Sequence, residues 1–222
     1  MSEAAISVRN LSKTFGGGRT LFGKQRHTVE AVKSVSLNLA RGETLAIVGE
    51  SGSGKSTLAR MLVGLTEPSD GTMEIAGQDA SALRRSGPRA FGKMIQYVFQ
   101  DPVASLNPRK TIRQILETPL KLLSELDRNQ RQKRMEELLD AVQMPKDTLL
   151  RYPHEFSGGQ AQRIAIARTL AADAEIIVLD EPVSALDVSV QAQVLLLLDE
   201  LKQQFGLSYL FISHDLAVVE AI

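Results

Sequence analysis

Four short, nearly continuous apolar runs punctuate the chain, at Thr44–Val48, Ile95–Phe99, Ile176–Leu179 and Tyr209–Ile212. Runs of this length without alternation predict strands covered on both faces. A different pattern marks Val35, Leu37 and Leu39, which alternate with Ser34, Ser36 and Asn38; period two predicts a strand with one wet face. Ile6–Arg9 and Val29–Val32 read as two further short strands, joined by a Gly-rich, basic stretch from Gly16 to His27 that predicts an exposed loop. Helical spacing occupies Ser56–Leu65, Ile112–Leu123, Arg128–Val142, Gln160–Ala171 and Val188–Phe205, the last stopped by Gly206. Buried strands alternating with helices predict an α/β fold with a mainly parallel sheet. From about Asp101 to Phe156 the pattern holds helices and prolines but no strand, so a helical lobe is expected as an insertion into that core.

Composition narrows the picture only a little. A chain of 222 residues suits one domain with a sizeable core. Lys plus Arg equals Asp plus Glu at 26 each, so no global basic field draws the chain to nucleic acid or anionic lipid. The absence of Cys excludes disulfides and thiolate metal sites and fits a reducing cytosol. No apolar run approaches the ~20 residues of a membrane span; Val194–Leu198 is ended by Asp199. Met1-Ser2-Glu3 lacks the basic end and apolar stretch of a signal peptide. Any membrane role is therefore expected to be peripheral.

The chemistry begins directly after the run Thr44–Val48. Gly49-Glu50-Ser51-Gly52-Ser53-Gly54-Lys55-Ser56 fits the phosphate-binding pattern G-x-x-x-x-G-K-[ST]. Its glycines let successive N–H groups converge on phosphate oxygens, and the helix that follows offers its positive end to the same anion. In that reading Lys55 reaches the β- and γ-phosphates of a nucleotide such as ATP, Ser56 ligates Mg2+, and Thr57 completes the phosphate-facing turn. A Gly-rich turn of this form arises by chance in roughly one chain in a hundred of this length. Far along the sequence, Ile176–Leu179 ends in Asp180-Glu181. Carboxylates at the C-terminal end of a buried strand sit where open α/β sheets bind ligands. Alone they would merely end a strand. Paired with the phosphate loop, Asp180 is expected to hold the Mg2+ shell and Glu181 to orient and deprotonate the attacking water.

A third motif, Phe156-Ser157-Gly158-Gly159-Gln160 followed by Gln162-Arg163, lies 23 residues before Asp180 when counted from Ser157. Ser157 and the glycines alone would describe a capped helix. With the spacing and Gln160, the stretch resembles the signature of ABC ATPases. Further elements follow in family order: Gln100 after Ile95–Phe99, Ser184-Ala185-Leu186-Asp187, and His214, 34 residues beyond Asp180. The resemblance implies a P-loop NTPase with a RecA-like parallel core, an N-terminal antiparallel β subdomain and an inserted helical subdomain. It assigns Gln100 to Mg2+ and the water, His214 to sensing the γ-phosphate, and Asp187 to an interface between two copies. Asp187 is also a plain candidate cap for the helix at Val188. Ser157, Gly158, Gly159 and Gln160 would complete the site of a second ATPase subunit, so that ATP is sandwiched. Phe15 is the candidate for stacking on adenine, with Phe22 as its rival; His27 and His154 receive no role.

Gln100-Asp101-Pro102 and Ala104–Arg109, together with the enlarged loop from Gly16 to His27 and the run Val188–Val194, are similar to the ATPases of bacterial oligopeptide, dipeptide and nickel importers. This implies an ATPase at the cytoplasmic face of the inner membrane, held there by integral permease subunits that dock on the helical lobe and served indirectly by a solute-binding protein. One ATPase domain is expected over residues 6–222, with its core at about 6–100 and 172–222 and its lobe at about 101–171. Family members continue beyond the position of Ile222, eight residues after His214, so the C-terminal part of the domain is expected to be missing. Alternatives are an ABC ATPase serving a soluble process and a remnant that no longer works. Arg128, Arg131, Lys133 and Arg134 are interleaved with Glu136 and Glu137, which speaks for a solvated helix face and against a nucleic-acid partner.

Overall fold

A computed structural model describes residues 4–16 and 28–222. Two sheets organise it. The first pairs β1 (Ala4–Gly16), β2 (Thr28–Ala40), β4 (Asp70–Ile75) and β5 (Gln78–Asp79) in the antiparallel order β2-β1-β4-β5. The second is parallel, in the order β3-β8-β7-β6, from β3 (Thr44–Val48), β6 (Ile95–Val98), β7 (Ile176–Asp180) and β8 (Ser208–Ser213). The α/β class, the antiparallel N-terminal sheet and the helical insertion are all present.

Alternation along the parallel strands divides the interior in two, because successive side chains leave a strand on opposite faces. Ile176, Val178, Leu210 and Ile212 enter a core with α1 (Lys55–Leu62) and the apolar side of the antiparallel sheet. Ile177, Leu179, Tyr209 and Phe211 enter the other core, with α8 (Val188–Phe205) and the lobe helices. Those helices are α4 (Pro102–Ser105), α5 (Ile112–Leu123), α6 (Arg128–Ala141) and α7 (Gly158–Leu170). The lobe therefore shares one apolar cluster with the sheet. Each of its three longer helices opens with a reciprocal cap: Thr111 with Gln114, Asp127 with Gln130, Ser157 with Gln160. At the other end of α8, Gly206 takes the left-handed conformation the sequence predicts, with φ of 64°.

Two expectations are corrected, and two pairs of elements were not foreseen. The runs at Val29–Val32 and Val35–Leu39 belong to one strand, bent where Ser34 takes a φ of 44°, near a register shift of β1 at which Asn10 takes 51°. Hydroxyls satisfy the backbone at that bend: Ser34 N–H donates to Ser12 Oγ and Asn10 N–H to Ser36 Oγ, both at 2.9 Å. Strand β3 is not covered on both faces; among the described residues it pairs with β8 alone, and Leu45, Ala46 and Ile47 are half-buried beside a cleft. The strands β4 and β5 were not foreseen, because Met73 and Ile75 are the only buried residues of β4. Nor were α2 (Ala80–Arg85) and α3 (Pro88–Met94), each less than two turns long, although Asp79 caps the first and Pro88 opens the second. The chain ends in α9 (Leu216–Glu220), capped by Asp215.

Because the lobe core is continuous with the sheet, a cavity in the lobe should weaken the whole domain. Leu116, fully buried on α5, is the test: Leu116→Ala should lower unfolding free energy by about 2–5 kcal/mol, read as a lower midpoint of a single urea transition.

Candidate active site

The four parallel strands end at one level. Val48 pairs with Ser213, Asp180 with Ile212 and Val98 with Leu179. Gly49, Glu181 and His214 each stand one residue beyond a strand end, and Gln100 two. They border a cleft of about 1480 Å3 that also takes in the loop from Gly49 to Ser56, Thr57, and the half-buried apolar face of β2 and β3.

Within the loop, the backbone conformation depends on glycine at two points. Gly52 has a φ of 81° and Gly54 of 95°. At Gly54 a Cβ would also fall 2.1 Å from the carbonyl oxygen of Ala31 on β2, so the antiparallel sheet closes over the start of α1 only because no side chain is there. The Lys55 ammonium folds back and donates to the carbonyls of Gly49 (2.6 Å) and Glu50 (2.8 Å). Ser56 Oγ donates to Asp180 Oδ1 across 3.2 Å. Asp180 is 3% exposed, and its second oxygen accepts the Tyr97 hydroxyl at 2.5 Å. Burial and the bond to Asp180 push the Tyr97 hydroxyl well above the usual phenol range, with the nearby Arg60 guanidinium a partial offset.

Glu181 holds a φ of 49° while its N–H donates to the carbonyl of Ile212 at 2.9 Å. Its Oε2 accepts from Gln100 Nε2 and lies by His214 Nδ1, each at 3.1 Å. The structure thus gathers one carboxylate, one amide and one imidazole, carried on the ends of three strands, at the mouth of the cleft. Such a group can hold a water against a phosphate and accept its proton.

The other candidates lie elsewhere. Phe15 is outside the cleft lining: its ring is exposed, with Lys13 Nζ 5.1 Å from its centroid, and its cross-strand partner Val29 lines the cleft instead. Phe22 and His27 fall outside the described residues. Ser157 and Gln160 form the cap of α7, Gln160 N–H donating to Ser157 Oγ (3.4 Å) and Ser157 N–H to Gln160 Oε1 (3.0 Å). Local capping therefore accounts for Gln160 as well as Ser157, which the sequence reading did not allow. A Cβ on Gly158 would sit 3.2 Å from Leu186, and one on Gly159 2.5 Å from Val190. This turn and the segment Ser184–Asp187 form one surface patch, apart from the cleft. Asp187 caps α8 through Oδ1, accepting from Ser189 Oγ (2.7 Å) and Val190 N–H (3.0 Å). Those two bonds hold its carboxyl below the usual range. Tyr97 is the residue sequence reasoning missed; a tyrosine inside the run Ile95–Phe99 was its only signal.

Known proteins resemble this chain in sequence and fold. Residues 32–184 fit the family described as ABC transporter. The chain belongs to the ABC transporter ATP-binding family. It is 50% identical, over 99% of its length, to the oligopeptide transport ATP-binding protein AppF of Bacillus subtilis, and 47% identical, over its whole length, to the dipeptide transport ATP-binding protein DppF of Escherichia coli. It spans 67% of the first relative and 66% of the second, about two thirds of each. Among solved structures, a dimeric ATP-binding cassette in a post-hydrolysis state with ADP and Pi superimposes with a TM-score of 0.83 at 31% identity, over 97% of this chain and 90% of that one.

Why glycine stands at position 159 can be tested by a sign reversal. Inside a helix alanine is favoured over glycine by about 1 kcal/mol, but the contact with Val190 should impose about 1–3 kcal/mol of overpacking. Gly159→Ala should therefore destabilise the wild-type chain and become neutral or stabilising in a Val190→Ala background. A thermal double-mutant cycle reads the coupling.

Proposed function

We propose that this chain is the ATP-hydrolysing subunit of a membrane importer for di- or oligopeptides, working as an ATP-sandwich dimer. The observation that carries the reading is the meeting of the phosphate loop, Glu181, Gln100 and His214 at one cleft, with the buried Asp180 bonded to Ser56 behind it, while Ser157–Gln160 and Asp187 form a separate patch. In this reading the backbone from Gly49 to Thr57 cradles the β- and γ-phosphates and Lys55 leaves its loop carbonyls for phosphate oxygens. Glu181 orients the attacking water and accepts its proton, Gln100 contacts that water and the Mg2+, and His214 senses the γ-phosphate. A second copy, identical or paralogous, supplies Ser157, Gly158 and Gly159 to the exposed side of the γ-phosphate. Phe15, outside the cleft lining but the cross-strand partner of Val29, which lines it, is read as the residue that meets the adenine.

Mg2+ fits the residues present. Ser56 Oγ and Asp180 Oδ1 make a 3.2 Å pair of hard oxygen donors, and no cluster of three or more His, Cys, Asp or Glu able to hold a metal occurs among the described residues. Mg2+ is commonly held in this way, by one or two protein oxygens with substrate phosphates and water completing its octahedron. Bound there, it would neutralise charge that develops on the phosphates.

Peptide cargo is supported by the names of the relatives. The division into a core and a lobe of residues 101–171 gives permease subunits a docking surface on the lobe, with a solute-binding protein acting through them and no nucleic acid involved. Among the described residues no helix is long and apolar enough to cross a membrane, in keeping with peripheral attachment at the cytoplasmic face of the inner membrane.

Glu181→Gln should retain ATP binding while turnover falls by about 10²–10⁴-fold, and the variant should dimerise on adding ATP in size-exclusion with light scattering. Hydrolysis at the wild-type rate would remove Glu181 from its role. A variant that binds ATP but stays monomeric would point to a paralogous partner.

A further inference from the structure

Tyr97 stands out on β6 because its hydroxyl has a task that packing does not require. The ring is 7% exposed, belongs to the apolar cluster with Leu58, Phe91 and Ile95, and meets Phe99 edge to face at 4.5 Å. Phenylalanine would satisfy every one of those contacts. The hydroxyl instead points along the sheet. Tyr97 pairs with Val178 on β7, and Asp180, two residues on, shares the face of Val178. A long side chain spans that diagonal, and the bond to Asp180 Oδ2 at 2.5 Å completes it.

The Asp180 carboxylate is thereby gripped from two sides. Its Oδ1 accepts from Ser56 on α1 and its Oδ2 from Tyr97 on β6. At 3% exposure water cannot substitute for either donor. With Oδ2 engaged, rotation of the carboxylate is fixed, and Oδ1 is the oxygen turned toward Ser56. Arg60, one turn along α1 from Ser56, brings a cation near the phenol, so α1 contributes to both ends of the arrangement.

We infer that Tyr97 is a positioning residue for Mg2+: by occupying Oδ2 it aims Asp180 Oδ1 at the place beside Ser56 where the metal of a bound nucleotide sits. This rests on the nucleotide-site reading proposed above. Ligating carboxylates are commonly oriented by such outer partners, whose removal weakens metal binding about 10–100-fold.

The test is Tyr97→Phe, which keeps the ring. Trinitrophenyl-ATP binding is titrated with free Mg2+ and repeated in excess EDTA, for variant and wild type alike. Affinity in EDTA should be unchanged, while the free Mg2+ needed for its half-maximal effect on binding should rise about ten-fold. A variant that titrates with Mg2+ like the wild type overturns the inference. So does one that loses affinity equally in EDTA, because Tyr97 would then be a packing residue. Failure of the wild-type chain to bind the nucleotide at all would instead remove the reading on which the inference rests.

Discussion

Everything functional in this chain depends on the register of β7 between its two neighbours. Val98 stands opposite Leu179 and Ile212 opposite Asp180, while β3 ends one strand further on with Val48 opposite Ser213. A parallel sheet allows this because its strands all run the same way, so their ends meet at one edge. The five residues of β7 are buried throughout, and slipping it by one position would turn Asp180 from the α1 side to the α8 side. Ser56 and Tyr97 would lose their common acceptor, and Glu181 would leave Gln100 and His214. Two apolar cores, one on each face, hold the strand against that slip.

How much of this the sequence discloses follows from how local each signal is. The loop from Gly49 to Ser56, the pair Asp180-Glu181 and the buried strands before them are written in consecutive residues. So is the order of Gln100, Ser157, Asp187 and His214. The elements that escape are those whose signal is distributed. Strand β4 offers two buried side chains, and its partner β1 lies some sixty residues earlier. The exposure of β3 follows from its having one neighbour in the sheet, which no run of Leu45, Ala46 and Ile47 can announce. Tyr97 needed the diagonal between two strands to become visible. Gln160 shows the converse: its local role, the cap of α7, is written in S-x-x-Q, the same residues that carry the resemblance to a family signature.

That double duty bears on how the two patches relate. Ser157 and Asp187 both cap helices, so each is held rigidly by bonds the single chain makes for itself. Both bonds to Asp187 fall on Oδ1, and a capped N-terminus still points the first N–H groups of α7 outward. Gly158 and Gly159 let α7 settle onto Leu186 and Val190. The turn and the Ser184–Asp187 segment are consequently packed against each other. Asp187 is joined to β7 by only six intervening residues, from Glu181 to Leu186, and that link is itself bonded, Ser184 N–H and Oγ both donating to the Glu181 carbonyl. Glu181 and the patch are therefore linked by a short, hydrogen-bonded connection. In a dimer that places this patch over the partner's cleft, Glu181 of each copy would be joined by a short stretch of chain to the surface facing the other copy's cleft.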